Sequence, residues 1–296
     1  MAYQCMFFLE VFSGDCGITM GVMLSQVPCV LPWDSRYGPS FDVLKAGHVI
    51  TELVSAGLAL AIHFGTPCQS QTFARLPQLR SWKLPGGLDS LLPHQRTLVD
   101  IGNALLKFTV DLCFLLLTVG GYFSIVNPEL SWLWVQTCMM LLMRLPGVAM
   151  IRFLFKQFMV PFTKPTAFVH NMPALHRLKE GVQMWVGECI VLRGTIMYQG
   201  KQVFKTHLAQ AYPPLLCIKF GELVEQSVLI RKIALENDLE IPHADTSMND
   251  GLPATLANGS FVEAFGGDPV YSTLDPLVPE GHGMVKGLNH LEHVAL

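Results

Sequence analysis

Charge is scarce in this chain. Asp, Glu, Lys and Arg together make up 15% of its 296 residues, and the formal net charge is −3. The chain as a whole therefore lacks the basic signature of a nucleic-acid binder, although these totals leave room for a local basic face. No Cys-x-x-Cys pair occurs among the eight cysteines, so a zinc site has no support and no metal is expected. Cys29, Cys113, Cys138, Cys189 and Cys217 sit inside apolar segments, as small hydrophobes do. The expected setting is a reducing, intracellular one, the nucleus being among the compartments that fit. Apolar runs of membrane-spanning length are also missing. The windows 112–126 and 130–143 are shorter than the roughly 18–20 residues a span needs. Gly120-Gly121 and Asn127-Pro128-Glu129 interrupt them, so no membrane span is expected. Near the start, Phe7-Phe8-Leu9 has no basic flank and is cut by Glu10, which argues against a signal peptide.

Half of the residues are hydrophobic (51%), enough for a large buried core. From residue 6 to about 220, short apolar runs alternate with longer segments of helical spacing, the pattern of βαβ units. Strands are expected over 6–12, 28–32, 58–64, 122–126, 148–155 and 167–170. Helices are expected over 18–26, 49–56, 97–118, 130–144 and 206–223. The implied fold is α/β, a doubly wound, mostly parallel sheet. Residues 69–93, rich in Pro, Gly, Arg and Ser, read as a long loop after the third strand, and loops of that length are commonly functional or disordered. After Leu235 the composition shifts to Gly, Pro, Asp, Asn and Ser. The expected division is a domain over 1–235 and a poorly ordered linker or tail over 236–296, leading into a longer protein.

Chemistry concentrates where strands are expected to end. Phe12-Ser13-Gly14-Asp15-Cys16-Gly17 follows the first apolar run and opens a helix-like segment. Gly14 and Gly17 would let backbone approach a ligand, and the helix start would offer N–H groups. About twenty residues on, Asp34 closes the second run, where a carboxylate commonly holds ribose hydroxyls; it could equally cap the next turn. The third run ends in Gly65-Thr66-Pro67-Cys68-Gln69, presenting a thiol at a strand's carboxyl end. Cys68 is either a nucleophile or an inert buried cysteine, and as a nucleophile it needs a nearby cation, for which Arg75 and Arg80 are candidates. Asn127, ending the fourth run before Pro128, either contacts a ligand or stabilises a turn. His63 reads as a satisfied core histidine rather than a base.

In order and spacing, these residues resemble the DNA (cytosine-5) methyltransferases. Phe12, Ser13, Gly14 and Gly17 match the family's turn for S-adenosylmethionine, with Asp15-Cys16 in place of its usual glycine-centred pair. Asp34 matches the ribose acid, and Asp42 in Phe41-Asp42-Val43 the residue that reaches the adenine. Pro67-Cys68-Gln69 matches the nucleophile loop. A narrower resemblance adds Ala74-Arg75, Leu79-Arg80-Ser81, Pro85-Gly86-Gly87-Leu88, Gly102-Asn103, Asn127 to Trp134, Lys164-Pro165-Thr166 and Ala211-Tyr212-Pro213. That succession is similar to methyltransferase-like domains of large, mobile-element-type polyproteins of dinoflagellates, and covers about residues 6–220. The resemblance implies a Rossmann-like S-adenosylmethionine-dependent fold, S-adenosyl-L-methionine as cofactor and DNA as partner. It implies attack by the Cys68 thiolate on a flipped cytosine. It casts Asn127 as a supporting residue, with Lys164 and Arg193 as candidates to hold the base. One departure is serious. The family's acidic residue before that Asn is Val126 here, and losing such a group typically costs about 10²–10⁴ in rate. No target-recognition module fits between Asn171 and Leu208. The competing expectation is a degenerate, non-catalytic domain of a polyprotein.

Overall fold

Each strand carries apolar residues on both of its faces, so a sheet built from them must be covered twice. The computed structural model, which describes residues 6–240 together with 242 and 244, shows that cover. Of the tail expected over 236–296, all but those first residues lies outside the described ones. The chain runs β1 (Phe7–Val11), α1 (Gly17–Leu24), α2 (Val43–Ser55), β2 (Ala59–Phe64), α3 (Pro93–Thr118) and β3 (Tyr122–Pro128). It continues with α4 (Thr137–Met143), β4 (Ala149–Leu154), β5 (Pro165–His170), a hairpin of β6 (Thr195–Tyr198) and β7 (Lys201–Phe204), and α5 (Pro214–Glu236).

The main sheet has the order β1-β2-β3-β5-β4. The first three strands are parallel. β5 runs against both of its neighbours, so half of the strand pairings are antiparallel and the sheet is mixed. Side chains alternate between the two faces. Phe8, Leu60, Tyr122, Val126 and Phe168 pack under α1 and α5, against Ile18, Val22, Leu216 and Phe220. Leu9, Ile62, Phe64, Phe123 and Ile125 pack under α2, α3 and α4, against Ile50, Leu106, Val110 and Met139. Burying each such side chain contributes about 1.5–3 kcal/mol. α1 and α5 meet backbone to backbone: a Cβ on Gly21 would stand 1.9 Å from the Cys217 carbonyl oxygen, and one on Gly221 2.1 Å from that of Gly21. Only glycine permits that approach.

Several elements differ from expectation for identifiable reasons. The segment expected as a strand over 28–32 makes only isolated parallel bridges to β1, Phe8 with Cys29 and Val11 with Trp33. Pro28 and Pro32 remove ladder donors there. The helix expected over 130–144 is a 3₁₀ turn, Trp132–Val135, followed by α4. The helix expected over 206–223 is displaced: Lys205–Ala209 is a 3₁₀ turn, and α5 begins after Pro213, with Pro214 at its first position. The β6–β7 hairpin was not expected at all. Its turn uses positive φ at Gln199 (49°) and Gly200 (76°), as two-residue hairpins of matching twist require. α3 is the helix that, among the described residues, is long and apolar enough to cross a membrane by length and composition. Val99, Gly102, Leu106, Val110, Cys113 and Leu116 form its buried stripe.

Candidate functional site

After β1 the chain passes to the bridged segment on one side; after α2 it returns to β2 on the other. The strand order therefore reverses at β1, and the crevice at the carboxyl ends of β1 and β2 lies at that switch point, the usual ligand position in open α/β sheets. The two sequence signals of greatest weight flank it. From β1 comes the glycine turn, with positive φ at Phe12 (58°), Gly14 (55°) and Cys16 (58°). From β2 comes Gly65 to Cys68. A Cβ on Gly65 would lie 2.5 Å from the Phe12 carbonyl oxygen, so the two loops touch through backbone.

The glycine turn is held by polar groups of the chain itself. Gly14 N–H donates to Asp34 Oδ2 at 2.9 Å, and Asp34 Oδ1 accepts from Arg36 N–H at 3.0 Å. Asp34 thus reaches the turn and also caps the following 3₁₀ turn, the structural one of the two roles expected for it. The Tyr37 hydroxyl donates to the Gly14 carbonyl at 2.9 Å. Phe12 and Ser13 N–H both donate to Trp33 O, at 2.7 and 3.3 Å, and Ser13 is buried. Asp42 caps α2, accepting from Leu44 N–H at 3.0 Å, and pairs with Lys45 at 3.5 Å.

Glu10 is a component the sequence reading missed. Wholly buried in β1, it accepts from Thr19 N–H at 2.7 Å and from Thr19 Oγ1 at 2.6 Å, so the chain's own carboxyl occupies the start of α1. Burial pushes its carboxyl up to about 7, against those two hydrogen bonds. Among the described residues its Oε1 has no partner. The register sets Glu10 beside His63, His63 beside Ser124 and Ser124 beside His170, a fully buried polar row across four strands. Its only trace in the sequence is one polar residue in each of four apolar runs.

Cys68 is half-buried, and its carbonyl accepts from Gln71 and Thr72 N–H, each at 2.9 Å, turning the loop back after Pro67. Burial raises the thiol's pKa, while the positive charge of Lys164 pulls it down. Lys164, leading into β5, donates from Nζ to the Ala209 carbonyl at 2.7 Å and lies 4.7 Å from the Phe155 ring centroid. The cation whose charge acts on Cys68 is thus Lys164. Arg80, a candidate for that part, is buried in the loop and donates to Ser70 O (2.7 Å), Ser70 Oγ (2.9 Å), Pro85 O (2.7 Å) and Asn103 Oδ1 (2.8 Å). It makes 69–93 a structured loop clamped to α3. Gly102 belongs to the same clamp, since a Cβ there would meet Ser70 Oγ at 2.3 Å. Arg193 is exposed, two residues before β6.

Asn127 ends β3 and donates from Nδ2 to the Thr66 carbonyl at 2.8 Å, fixing the residue ahead of Pro67-Cys68. Its Oδ1 is buried without a partner among the described residues. Val126 lies in the core under α1 and α5, opposite Phe168. His63 is satisfied on both nitrogens, by Ser124 Oγ at 2.8 Å and Tyr212 Oη at 3.2 Å, and burial lowers its pKa to about 3. It is a neutral core histidine. Among the described residues, no group of three His, Cys, Asp or Glu side chains is placed to hold a metal ion. In comparisons with known proteins, no family model matches the chain, and neither does any curated protein.

Proposed function

We propose that this chain is a Rossmann-like, S-adenosylmethionine-binding domain of the DNA cytosine-5 methyltransferase type. The observation that carries the reading is the meeting, at one switch-point crevice, of the Gly14 turn with its Asp34 acid and the Pro67-Cys68 loop with its Lys164 cation. The residues fit the cofactor. The turn carries glycine at 14 and 17, Asp34 stands against it, and Asn127 Oδ1 is an acceptor without a partner among the described residues. Phe12, Ser13, Gly14 and Gly17 would cradle it, Asp34 would exchange the Gly14 N–H for ribose hydroxyls, and Asp42 and Pro67 would flank it. When bound, S-adenosylmethionine supplies an electrophilic methyl group on a sulfonium.

The chain's own part in the chemistry begins with the thiol. Cys68, deprotonated with the help of the Lys164 charge, would add to carbon 6 of a cytosine drawn out of its stack, the carbon 5–carbon 6 π pair moving to carbon 5, where the methyl is accepted; loss of the proton on carbon 5 would then expel the thiolate. Asn127 keeps the loop in place through Thr66. Arg193 would help to hold the base. Calorimetry with S-adenosylmethionine tests the binding; no heat at millimolar ligand overturns the reading. A duplex carrying 5-fluorocytosine should then trap a covalent adduct on the intact chain and none on Cys68→Ala.

One observation favours a second reading, a binding domain without turnover. Val126, buried and apolar, stands where the chemistry calls for an acid on the base. Binding without any trapped adduct would select that reading. Activity gained by Val126→Glu would identify the missing acid as the defect.

A further inference from the structure

Tyr212 stands just ahead of α5, on the break made by Pro213-Pro214, and its half-buried side chain reaches from beside Gly17 to beside Gly65. A Cβ on Gly17 would lie 3.9 Å from Tyr212 Cβ, and one on Gly65 would lie 3.4 Å from its hydroxyl. The ring therefore runs from the glycine turn of β1 to the start of the Cys68 loop of β2. Its hydroxyl is anchored 3.2 Å from His63 Nε2, and His63 is anchored in turn by Ser124 Oγ at 2.8 Å. The two rings meet edge to face, with centroids 5.7 Å apart. This three-residue chain fixes the ring's tilt and leaves little rotamer freedom to lose when a ligand arrives. Burial drives the phenol's pKa well up, so it stays neutral.

If the cofactor lies at Gly14 and Gly17 and the thiol at Cys68 defines the reacting base, the transferred methyl must sit between the two. The atom bearing it is a sulfonium, a cation. The Tyr212 ring lies between the Gly17 and Gly65 backbones, which flank that interval, and an aromatic face carries the negative part of the ring's quadrupole. We propose that Tyr212 is the residue by which the crevice distinguishes the charged methyl donor from its uncharged thioether product. The ring attracts the sulfonium and has no such hold on the thioether, so the spent cofactor leaves more readily than the fresh one. The inference rests on the cofactor reading above.

The test is calorimetric titration of the full chain with S-adenosylmethionine and, separately, with S-adenosylhomocysteine. Tyr212→Phe keeps the ring and should keep the wild-type preference for the sulfonium. Tyr212→Met removes the ring and should lower that preference by about three- to thirty-fold. Pentafluorophenylalanine at position 212 keeps the shape, reverses the charge of the ring face and should give the same loss, even where the Met variant is poorly folded. An unchanged ratio in the ring-less or fluorinated variants, with both ligands still binding, overturns this inference and leaves the cofactor reading intact. Binding of neither ligand by the wild-type chain overturns both.

Discussion

Glu10 provides the sharpest handle on the site, because its ionisation is coupled to folding. Its carboxyl is wholly out of water and is held up to about 7, against an ordinary value of 4.5. The folded state therefore binds this proton more tightly than the unfolded chain does. Below pH 4.5 both states are protonated and there is no penalty. As pH rises from 4.5 through 7 the unfolded chain ionises first, and stability falls. Above about 7 the full difference is present, about 2.5 pH units at roughly 1.4 kcal/mol each, or ~3 kcal/mol. Glu10→Gln removes that term. The Gln carbonyl still accepts from Thr19, and its amide takes the place of the partnerless Oε1 at a roughly constant cost of about 1–3 kcal/mol. The signature is thus a slope and not an offset. Urea unfolding of both proteins at pH 5, 6, 7 and 8 should show the stability difference moving toward the variant by ~2.5 kcal/mol across the series, part of the full difference having accrued already at pH 5. The buried His63, lowered to about 3, destabilises both proteins alike as pH falls below 6.5 and drops out of the difference. A difference constant to within about 0.5 kcal/mol from pH 5 to 8 would refute the assignment of Glu10 as a buried, proton-holding group.

Three further outcomes are expected. Gly221→Ala places a methyl 2.1 Å from the Gly21 carbonyl oxygen, so α1 and α5 must separate; a loss of about 1–3 kcal/mol in urea unfolding is expected, and a loss under 0.5 would show the contact to be looser. Asn127→Ala leaves the Thr66 carbonyl without its donor, costing about 1–3 kcal/mol and speeding iodoacetamide labelling of Cys68, read by peptide mass spectrometry. Lys164→Met removes the charge that lowers the Cys68 thiol, so its alkylation profile should move to higher pH and labelling at pH 7.5 should slow; an unmoved profile would detach Lys164 from the thiol.

Much of this arrangement was legible from local pattern. The glycine turn, Asp34, Pro67-Cys68 and Asn127 lie at strand ends, and strand ends follow from apolar runs bounded by Gly, Pro and Asn. The first, third and fourth strands fell within two residues of their expected bounds for that reason. What stayed hidden depends on register and on distance along the chain. Glu10, His63, Ser124 and His170 each look like an isolated polar residue in an apolar run, and only the pairing of four strands makes them one row. Arg80 looked like a free cation because its acceptors are mostly main-chain carbonyls, which no sequence displays. The reversal of β5 was equally invisible, since a strand buried on both faces has the same pattern in either direction. The β6–β7 hairpin escaped because its residues are almost all exposed and show no alternation.

The contact of Gly21 with Gly221 has a consequence for the order of folding. The helix that continues the glycine turn is eight residues long and too short to persist alone. Its packing partner is encoded some two hundred residues later, so this helix is made well before the element that fixes it. During synthesis that helix lacks its backbone partner until α5 emerges. A chain ending before Pro214 should therefore keep its Cys68 loop and lose the floor beneath its glycine turn. The contact between α1 and α5 would form in a single step once α5 is complete, because loop closure over that span is repaid only when the two helices meet.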